Sequence, residues 1–390
     1  MKIVALYLPQ FHCIPENDKW WGKGFTEWVN VKKAKPLFEG HVQPKVPLNR
    51  NYYDLSDVEV MRWQAKIAKE HGVYGFCFYH YWFGGKLLLE KPVEQFFKSD
   101  IDLHYCISWA NEHWTNQWVK SDFTVLMEQK YGGKNEWKEH FDYLLQFFKD
   151  PRYIKIDNRP VMTIYRPEII DCRTEMIDYW NELAKENGFD GLCMVFQSSN
   201  YLVRQPNFDL SMFDYCGSYQ PGLAFTKLRQ EKQHFSYLRD KKQAVLNFLE
   251  KHFRFDPGSL NLNLIYRKIA KKQSVLKFDY DEVWNRVLND PDIFKNVIPC
   301  AFTNWDNTSR HGMRGSVIIG GTPEKFENYL KQLILKAKKK YETDLMFIFA
   351  WNEWAEGGYL EPDEENGFGY LEAIKKALED TGEFPSFDDN

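Results

Sequence analysis

Glu353 and Glu356 are the residues whose types and spacing most directly indicate chemistry. They follow an apolar run that begins at Leu345, and if the chain turns into a helix there, the two carboxylates lie on one face, roughly 5–6 Å apart. Retaining glycosidases use carboxyl groups about 5–5.5 Å apart. Two close carboxylates repel, so we expect one pKa to rise and supply a general acid while the other group stays charged as a base. The same spacing is also typical of acidic residues that complement a helix N-terminus.

Other apolar runs of the sequence also end in amides, aromatic rings and carboxylates. Amides and acids hydrogen-bond sugar hydroxyls, and rings stack on the apolar faces of pyranoses. Aromatic residues make up 17% of the chain and include 14 Trp, a content that favours a flat ligand. The predicted substrate-binding residues are Gln10, His12, Glu27, Trp28, His80, Tyr81, Trp82, Trp109, Asn111, Glu112, Trp114, Asn304, Trp305, Asn352 and Trp354.

Three further points define this predicted site. Gln197, Tyr219, Gln220 and Asp306 also close apolar runs. Glu27 lies in a long loop, where it is either a hydroxyl ligand or a surface residue. The histidines lack the H-x-x-x-H and H-E-x-x-H spacings of metal sites, so we predict no metal and no other cofactor.

The elements that must position these residues follow from eight short apolar runs, which begin at Ile3, Val73, Leu103, Val161, Leu192, Phe213, Val297 and Leu345. Such runs are typical of strands buried on both faces. Helical patterns lie between several of them: Ser56 and Glu59 form a capping box for a helix to about His71, and Thr322-Pro323 begins another. Further helices are predicted from about Glu175 to Asn187 and from about Tyr370 to Leu378. The pattern predicts an α/β fold, a (β/α)8 TIM barrel with long βα-loop insertions; a doubly wound sheet is the alternative.

We predict one catalytic domain over residues 1–380, followed by a tail at 381–390. A binding-loop insertion covers about residues 17–49, which are rich in Gly, Pro and Trp. A second, mostly helical insertion covers about residues 221–290 and contains 14 Lys/Arg against 8 Asp/Glu. That insertion either faces an anionic partner or forms a solvated helical surface.

Composition argues against several other classes of protein. A formal net charge of −4 and a pI near 6.2 give no reason to expect a nucleic-acid or anionic-membrane partner. Seven cysteines without C-x-x-C spacing argue against a disulfide framework and a zinc site. No run reaches the roughly 18 apolar residues of a spanning helix, and the first residues are too short an apolar run for a signal peptide. We therefore expect a cytoplasmic protein, or a periplasmic one if a leader has been removed.

The sequence around the two glutamates resembles a known family. "WNEWAEG" (351–357) resembles the N-E-W-x-E-G signature of glycoside hydrolase family 99, which contains endo-α-mannosidases and endo-α-mannanases. "YLPQFH", "WWGKGFTEW", "GHVQPKVPLN", "FYHYWF" and "SWANEHW" in the N-terminal half are similar to WbsX-type proteins, often described as glycosyltransferases of O-antigen and capsule synthesis. The resemblance extends from Val4 to about Pro362.

This resemblance implies a (β/α)8 barrel that acts without a metal. It implies that Glu353 is a base and that Glu356 is an acid/base. In the family 99 scheme the base deprotonates the 2-hydroxyl of the sugar, which attacks its own anomeric carbon and forms a 1,2-anhydro intermediate, with overall retention. One departure is that Gly357-Gly358 replaces the Gly-Thr that usually follows the second glutamate.

Three functions are consistent with the sequence. The first is a retaining glycoside hydrolase or transglycosidase that acts on an oligosaccharide or polysaccharide; a Glu112/Glu353 pair across the barrel is its second catalytic arrangement. The second is a nucleotide-sugar glycosyltransferase of cell-surface polysaccharide synthesis, although no diphosphate-binding motif is clear. The third is a non-catalytic carbohydrate-binding protein, which would not need two adjacent carboxylates.

Overall fold

Eight strand positions form a closed parallel barrel. The computed structural model describes residues 1–115, 124–198, 208–232, 275–290 and 293–387. The barrel strands are β1 (Lys2–Tyr7), β2 (Val73–Phe83), β3 (His104–Trp109), β4 (Arg159–Ile164), β5 (Cys193–Ser198), β6 (Tyr215–Ser218), β7 (Val297–Ile298 and Cys300–Phe302) and β8 (Leu345–Phe349). Each pairs in parallel with its neighbours in sequence, and β1 also pairs with β8.

Strand β7 closes the barrel in two halves. Its first half pairs with β6 and its second half with β8. The interruption falls at Pro299, which has no N–H to donate to the ladder, although its carbonyl accepts a hydrogen bond from the Phe347 N–H at 2.9 Å. The prediction of a (β/α)8 barrel is confirmed, and the alternative of an open doubly wound sheet is wrong.

The helices surround this barrel. They are α1 (Pro15–Trp21), α2 (Glu27–Lys33), α3 (Val58–Glu70), α4 (Lys91–Lys98), α5 (Lys134–Phe148), α6 (Arg173–Glu186), α7 (Gly222–Lys232), α8 (Tyr280–Asn289), α9 (Thr308–His311), α10 (Pro323–Lys336) and α11 (Gly369–Thr381). No helix of the described ranges is long and apolar enough to cross a bilayer.

Local sequence accounts for several helix boundaries. Thr322 caps α10 as predicted, since its side chain accepts from the Lys325 N–H at 3.3 Å. The cap of α3 was predicted one residue too early, because Asp57 rather than Ser56 accepts from the Glu59 N–H, at 3.0 Å. Helices α6 and α11 lie within three residues of their predicted ends.

Short paired elements lie at both ends of the barrel. Lys86–Leu88 extends β2 as a hairpin, Lys155–Ile156 pairs with β4, Trp114–Thr115 pairs with Val125–Met127, and Leu276–Asp279 pairs with Ser316–Ile319. Single 3₁₀ turns cover Leu48–Arg50, Pro167–Ile169 and Gly312–Arg314, and a π turn covers Ala337–Tyr341.

The first insertion contains most of α1 and all of α2. Most of the second, basic insertion lies outside the described residues, and its described ends contain α7 and α8. The division into one domain and a tail stays a prediction.

After β8 the chain forms a tight loop rather than a long helix. Asn352–Glu353 pairs antiparallel with Gly358–Tyr359, and a single 3₁₀ turn, Trp354–Glu356, connects them. We name residues 351–361 the β8 loop, because they follow strand β8. The two glutamates therefore do not cap an α-helix, and that alternative for their spacing is wrong.

Candidate active site

A cavity of about 330 Å³ opens at the carboxyl ends of the barrel strands. This is the face that carries the active site in TIM-barrel enzymes, and the volume lies at the lower end of small-molecule sites. Its described wall consists of residues that follow β1, β3, β4, β6, β7 and β8, of the end of β2, and of the first insertion.

One arginine and three glutamates occupy the polar part of this cavity. Arg310 Nη1 donates to Glu356 Oε1 at 2.7 Å, and Arg310 Nη2 donates to Glu353 Oε1 at 2.8 Å. The same Nη2 lies 3.1 Å from Glu27 Oε2, which also accepts from Arg310 Nε at 3.3 Å. One guanidinium therefore binds both glutamates of the β8 loop and the glutamate that begins α2.

The cluster is buried and has more acids than bases. The side chains of Arg310, Glu27, Glu353 and Glu356 are 11%, 7%, 7% and 12% exposed. Burial raises the pKa of Glu353 to about 8 although Arg310 opposes the shift, and the neighbouring Glu356 and Glu27 raise it further. Burial also raises the pKa of Glu356, again against Arg310 and with a contribution from Glu27. The two glutamates therefore retain a proton near neutral pH, which is the condition for a general acid.

Hydrogen bonds to the barrel fix the β8 loop in place. The Asn352 amide spans the backbone of Leu8: its Oδ1 accepts from the Leu8 N–H at 2.8 Å and its Nδ2 donates to the Leu8 carbonyl at 3.0 Å. On the other side the Asp306 N–H donates to the Glu356 carbonyl at 2.6 Å, and the Ser309 hydroxyl donates to the Ala355 carbonyl at 2.5 Å. The loop is thus tied to the ends of β1 and β7.

Close packing accounts for the second glycine of the Gly357-Gly358 pair. A Cβ at residue 358 would lie 2.4 Å from the Phe349 ring, so a side chain there would have to displace the last residue of β8. Glycine at the position where family 99 usually has threonine is therefore a consequence of local packing in this chain.

Seven predicted site residues lie on the cavity wall. They are Gln10, Glu27, Tyr81, Glu112, Trp114, Glu353 and Glu356. Gln10 Nε2 donates to the Tyr81 hydroxyl at 3.1 Å, and the Tyr81 ring stacks on Trp114 with centroids 5.1 Å apart. These residues combine hydrogen-bonding groups with a flat ring surface, as a sugar site requires.

The alternation of strand β2 separates three residues that were predicted together. Tyr79, Tyr81 and Phe83 line the cavity, whereas His80 and Trp82 point away from it, as the two-residue period of a strand requires. His80 Nε2 lies 2.9 Å from His140 Nε2, and Trp82 stacks on the same His140 ring at 4.6 Å. His80 and Trp82 therefore pack against α5 and do not line the cavity.

The other predicted residues also lie away from the cavity wall, and each has a structural partner. His12 Nδ1 contacts the Pro9 carbonyl at 2.9 Å, Trp28 Nε1 donates to the Tyr53 carbonyl at 2.8 Å, and Trp109 Nε1 donates to the Trp82 carbonyl at 3.3 Å. The remaining contacts are Asn111 with the backbone of Arg166, Asn304 with the Trp305 N–H, Trp305 with Ser316, Asn352 with Leu8, and Trp354 with Glu361. The structure therefore gives these residues packing and backbone-fixing contacts.

Glu112 lies on the same cavity but in a different environment. Its side chain is 42% exposed and pairs with Arg166, which also pairs with the buried Glu168. Glu353 is far less exposed and shares its cation with two other carboxylates. A Glu112/Glu353 pair stays a prediction, and Glu112 differs from Glu353 and Glu356 in its greater exposure and its separate cation.

Several wall residues were missed from the sequence. The most important is Arg310, six residues after the polar end of β7 begins at Asn304; an arginine so close to a strand end was the available signal. Tyr79 and Phe83 follow from the period of β2 once Tyr81 is assigned. Tyr165, which follows β4, and Trp21, Phe25, Asn30 and Lys33 of the first insertion also line the cavity. Tyr219, which the sequence analysis identified at the end of an apolar run, lies on the wall after β6.

Comparisons with known proteins place this site in a family. A family model described as "Glycosyltransferase WbsX" matches residues 3–374. The chain belongs to the WbsX family. It is 32% identical over 379 residues to the protein named "Uncharacterized protein WxcX" in two strains of Xanthomonas campestris pv. campestris, ATCC 33913 and B100. Those matches cover 96% of this chain and 49% of each relative, so the chain spans about half the length of the curated relatives that it matches.

Solved structures with the same fold include glycoside hydrolases. The WbsX chain superposes on a GH99 endo-alpha-mannosidase from Bacteroides thetaiotaomicron with a TM-score of 0.54, 13% identity and 97% coverage of both chains. A complex of such an enzyme with bis-tris-propane gives a TM-score of 0.57 at 12% identity and the same coverage. A "glycoside hydrolase-like protein" gives 0.55 at 10% identity and covers 96% of this chain and 93% of that one. At these identities the likeness shows the fold.

Proposed function

We propose that this protein is a carbohydrate-active enzyme that cleaves or transfers a glycosidic bond with retention of configuration, using Glu353 and Glu356. The observation that carries the proposal is the buried pair of carboxylates held by one guanidinium. A proton shared by two glutamates on a cavity wall provides the acid and the base that the reaction needs. A non-catalytic binding protein would gain nothing from burying three carboxylates around one cation, because such burial is costly.

The proposed reaction has two steps in which protons and bonds balance. In the first, the Glu353 carboxylate takes the proton of the 2-hydroxyl, O2 bonds to C1, the bond from C1 to the leaving oxygen breaks, and Glu356 protonates that oxygen. In the second, the Glu356 carboxylate takes a proton from water or an acceptor hydroxyl, whose oxygen bonds to C1. The C1–O2 bond breaks as this new bond forms, and Glu353 returns its proton to O2. Two inversions give net retention.

Without substrate, the proton is held by the group that must act as the base. Glu353, the base of this scheme, has a pKa of about 8 without substrate. A hydrogen bond from the 2-hydroxyl to Glu353 favours its charged form, and Arg310 contacts both carboxylates. Substrate binding thereby moves the shared proton towards Glu356 before bond cleavage.

We propose an oligosaccharide or polysaccharide as the substrate, with α-mannosides as the first class to test because the structural neighbours are named endo-alpha-mannosidases. The second candidate is a glycosyltransferase, which the description of the family favours. In both cases the acceptor is a hydroxyl, either of water or of a second sugar.

The test uses α-linked mannose oligosaccharides and other defined glycosides, with mass spectrometry of the products and NMR of their anomeric configuration. Glu356→Gln is expected to lose at least 100-fold in kcat on ordinary glycosides, and to recover much of the first step on glycosyl fluorides, whose leaving group needs no proton. Glu353→Gln is expected to be impaired on both substrate types, because the 2-hydroxyl stays protonated.

The matched control is Glu327→Gln, the same change at a glutamate buried on α10 and paired with Lys331 and Lys376. It should retain wild-type kcat. Inverted products, or full activity of both Glu353→Gln and Glu356→Gln, would contradict the proposed function.

A further inference from the structure

Glu361 is a buried carboxylate that the proposed reaction does not use. It is 3% exposed and lies at the end of the β8 loop, five residues after Glu356. Its Oε1 accepts from Gln64 Nε2 at 2.6 Å, and its Oε2 accepts from the Tyr53 hydroxyl at 2.8 Å and from Trp354 Nε1 at 2.6 Å. Acidic side chains are almost never fully buried unless they are paired, so this one requires an explanation.

Two of the three donors, Trp354 and Tyr53, connect Glu361 to the residues that precede and follow Glu353 in sequence. Trp354 follows Glu353 directly in the 3₁₀ turn that ends at Glu356. Asn352 precedes Glu353, and its Nδ2 donates to the Tyr53 hydroxyl at 3.4 Å while the same hydroxyl donates to Glu361. The two residues that flank Glu353 are thus linked to one carboxylate.

The third carboxylate of the cluster is linked through Tyr53 as well. The Tyr53 carbonyl accepts from Trp28 Nε1 at 2.8 Å, and Trp28 is the residue after Glu27. The ring of Trp28 also contacts Trp354, with centroids 5.6 Å apart. Glu361 is therefore linked to the residues next to Glu353 and Glu27, and through Trp354 to the turn that contains Glu356, although it does not line the cavity itself.

We propose that Glu361 is a positioning residue that fixes the spacing of Glu353, Glu356 and Glu27 around Arg310 through Trp354 and Tyr53. The proposal rests on the proposed function, since it assigns Glu361 a role in the geometry of that pair. A displacement of about 1 Å in such a pair is sufficient to cost about 100-fold in rate. Burial also raises the pKa of Glu361 to about 7, a cost that a residue used only for packing would avoid.

Two tyrosines of the structure provide a matched experiment. The Tyr53 hydroxyl donates to Glu361 at 2.8 Å, and the Tyr359 hydroxyl donates to Asp363 at 2.7 Å. Both are buried, and Tyr359 belongs to the same loop. Tyr53→Phe and Tyr359→Phe therefore remove the same group from comparable buried bonds, but only the first bond ends at Glu361.

Tyr53→Phe is expected to lower kcat about tenfold with KM within twofold, and Tyr359→Phe is expected to retain the wild-type kcat at a similar loss of Tm. Glu361→Ala removes the acceptor of all three donors. Glu361→Gln keeps one oxygen that accepts from Tyr53 and Trp354. Its new NH₂ group faces Gln64, whose side-chain amide can rotate to accept a hydrogen bond from it. We therefore expect kcat to be restored towards wild type in Glu361→Gln. Equal kcat losses in the two tyrosine variants would overturn the proposal.

A measurement without substrate separates this proposal from the proposed function. Amide hydrogen exchange in residues 351–358 should be at least tenfold faster in Tyr53→Phe than in Tyr359→Phe, because only the first change releases the loop at Glu353. If the wild-type protein cleaves no glycoside but the exchange rates differ in this way, the proposed function fails and the positioning role stands. Equal exchange rates would overturn the positioning role whatever the activity.

Discussion

At the residue scale, the charge of the site depends on Arg310. This arginine is the cation that both Glu353 and Glu356 contact, and it lowers the pKa of each against the effect of burial. In Arg310→Met both pKa values should rise further, so the pair should hold its protons to higher pH. The alkaline limb of the pH–rate profile should move up by at least one unit and kcat should fall at least 100-fold.

The carboxyl titrations can be followed by ¹³C NMR of labelled glutamate, which needs no substrate. Arg314→Met is the control, because Arg314 is an exposed arginine four residues later in the same segment. An unchanged profile in Arg310→Met would contradict the assigned charge balance.

The buried glutamates also give the fold a pH dependence. The pKa values of Glu353 and Glu361 are raised to about 8 and about 7, whereas an unfolded glutamate has a pKa of about 4.3. Between those values the folded protein binds protons that the unfolded chain does not. These two groups therefore stabilise the fold fully below about pH 4.3, and that contribution is lost as the pH rises through about 7 and 8.

Unfolding by denaturant at pH 5 to 9 measures this effect. The free energy of unfolding of Glu361→Gln should change less between pH 5 and 7 than that of the wild type, since one of the two titrating groups is gone. Glu327→Gln should keep the wild-type slope over this interval, because the two lysines beside Glu327 lower its pKa and place its titration below pH 5. A Glu361→Gln slope equal to that of the wild type would show that Glu361 does not titrate there.

At the element scale, the first insertion is part of the core as well as of the cavity. Trp28 of α2 is buried against Phe11, Tyr53 and Trp354, while Trp21 at the end of α1 lines the cavity. Trp28→Ala should therefore lower stability by about 3–5 kcal/mol. Trp21→Ala should raise KM several-fold with little change in Tm, which thermal melts and steady-state kinetics on the same samples can test.

Much of this architecture was predictable from residue patterns, and the misses have physical reasons. The apolar runs and the Thr322-Pro323 signal predicted strands and helices because burial and capping act locally. The period of β2 would have excluded His80 and Trp82 had it been applied to the polar end of the strand. For Arg310 the sequence offered only its closeness to the end of β7, because its partners lie 43, 46 and 283 residues away in sequence.

At the scale of the whole molecule, the distribution of charge argues for an uncharged glycan over a nucleotide diphosphate. The described cavity wall contains four carboxylates, Glu27, Glu112, Glu353 and Glu356, against the cations Lys33 and Arg310. Even with one proton held by Glu353 and Glu356, three charged carboxylates face two cations, so we expect a diphosphate in this cavity to be repelled. The D-x-D triplet at 279–281 has structural contacts, since Asp279 caps α8 and Asp281 binds Lys325 and the Tyr329 hydroxyl.

Saturation-transfer NMR with UDP, GDP and their sugar conjugates should accordingly show no signal at the nucleotide, whereas an α-linked oligosaccharide should show transfer to its ring protons. Lowering the salt concentration should not produce nucleotide binding, because weaker screening strengthens repulsion from a negative cavity. The Glu27→Gln variant provides the complementary control: it removes one negative charge and should bind anions better than the wild type does. Binding of UDP or GDP by the wild type through the nucleotide would instead favour the glycosyltransferase.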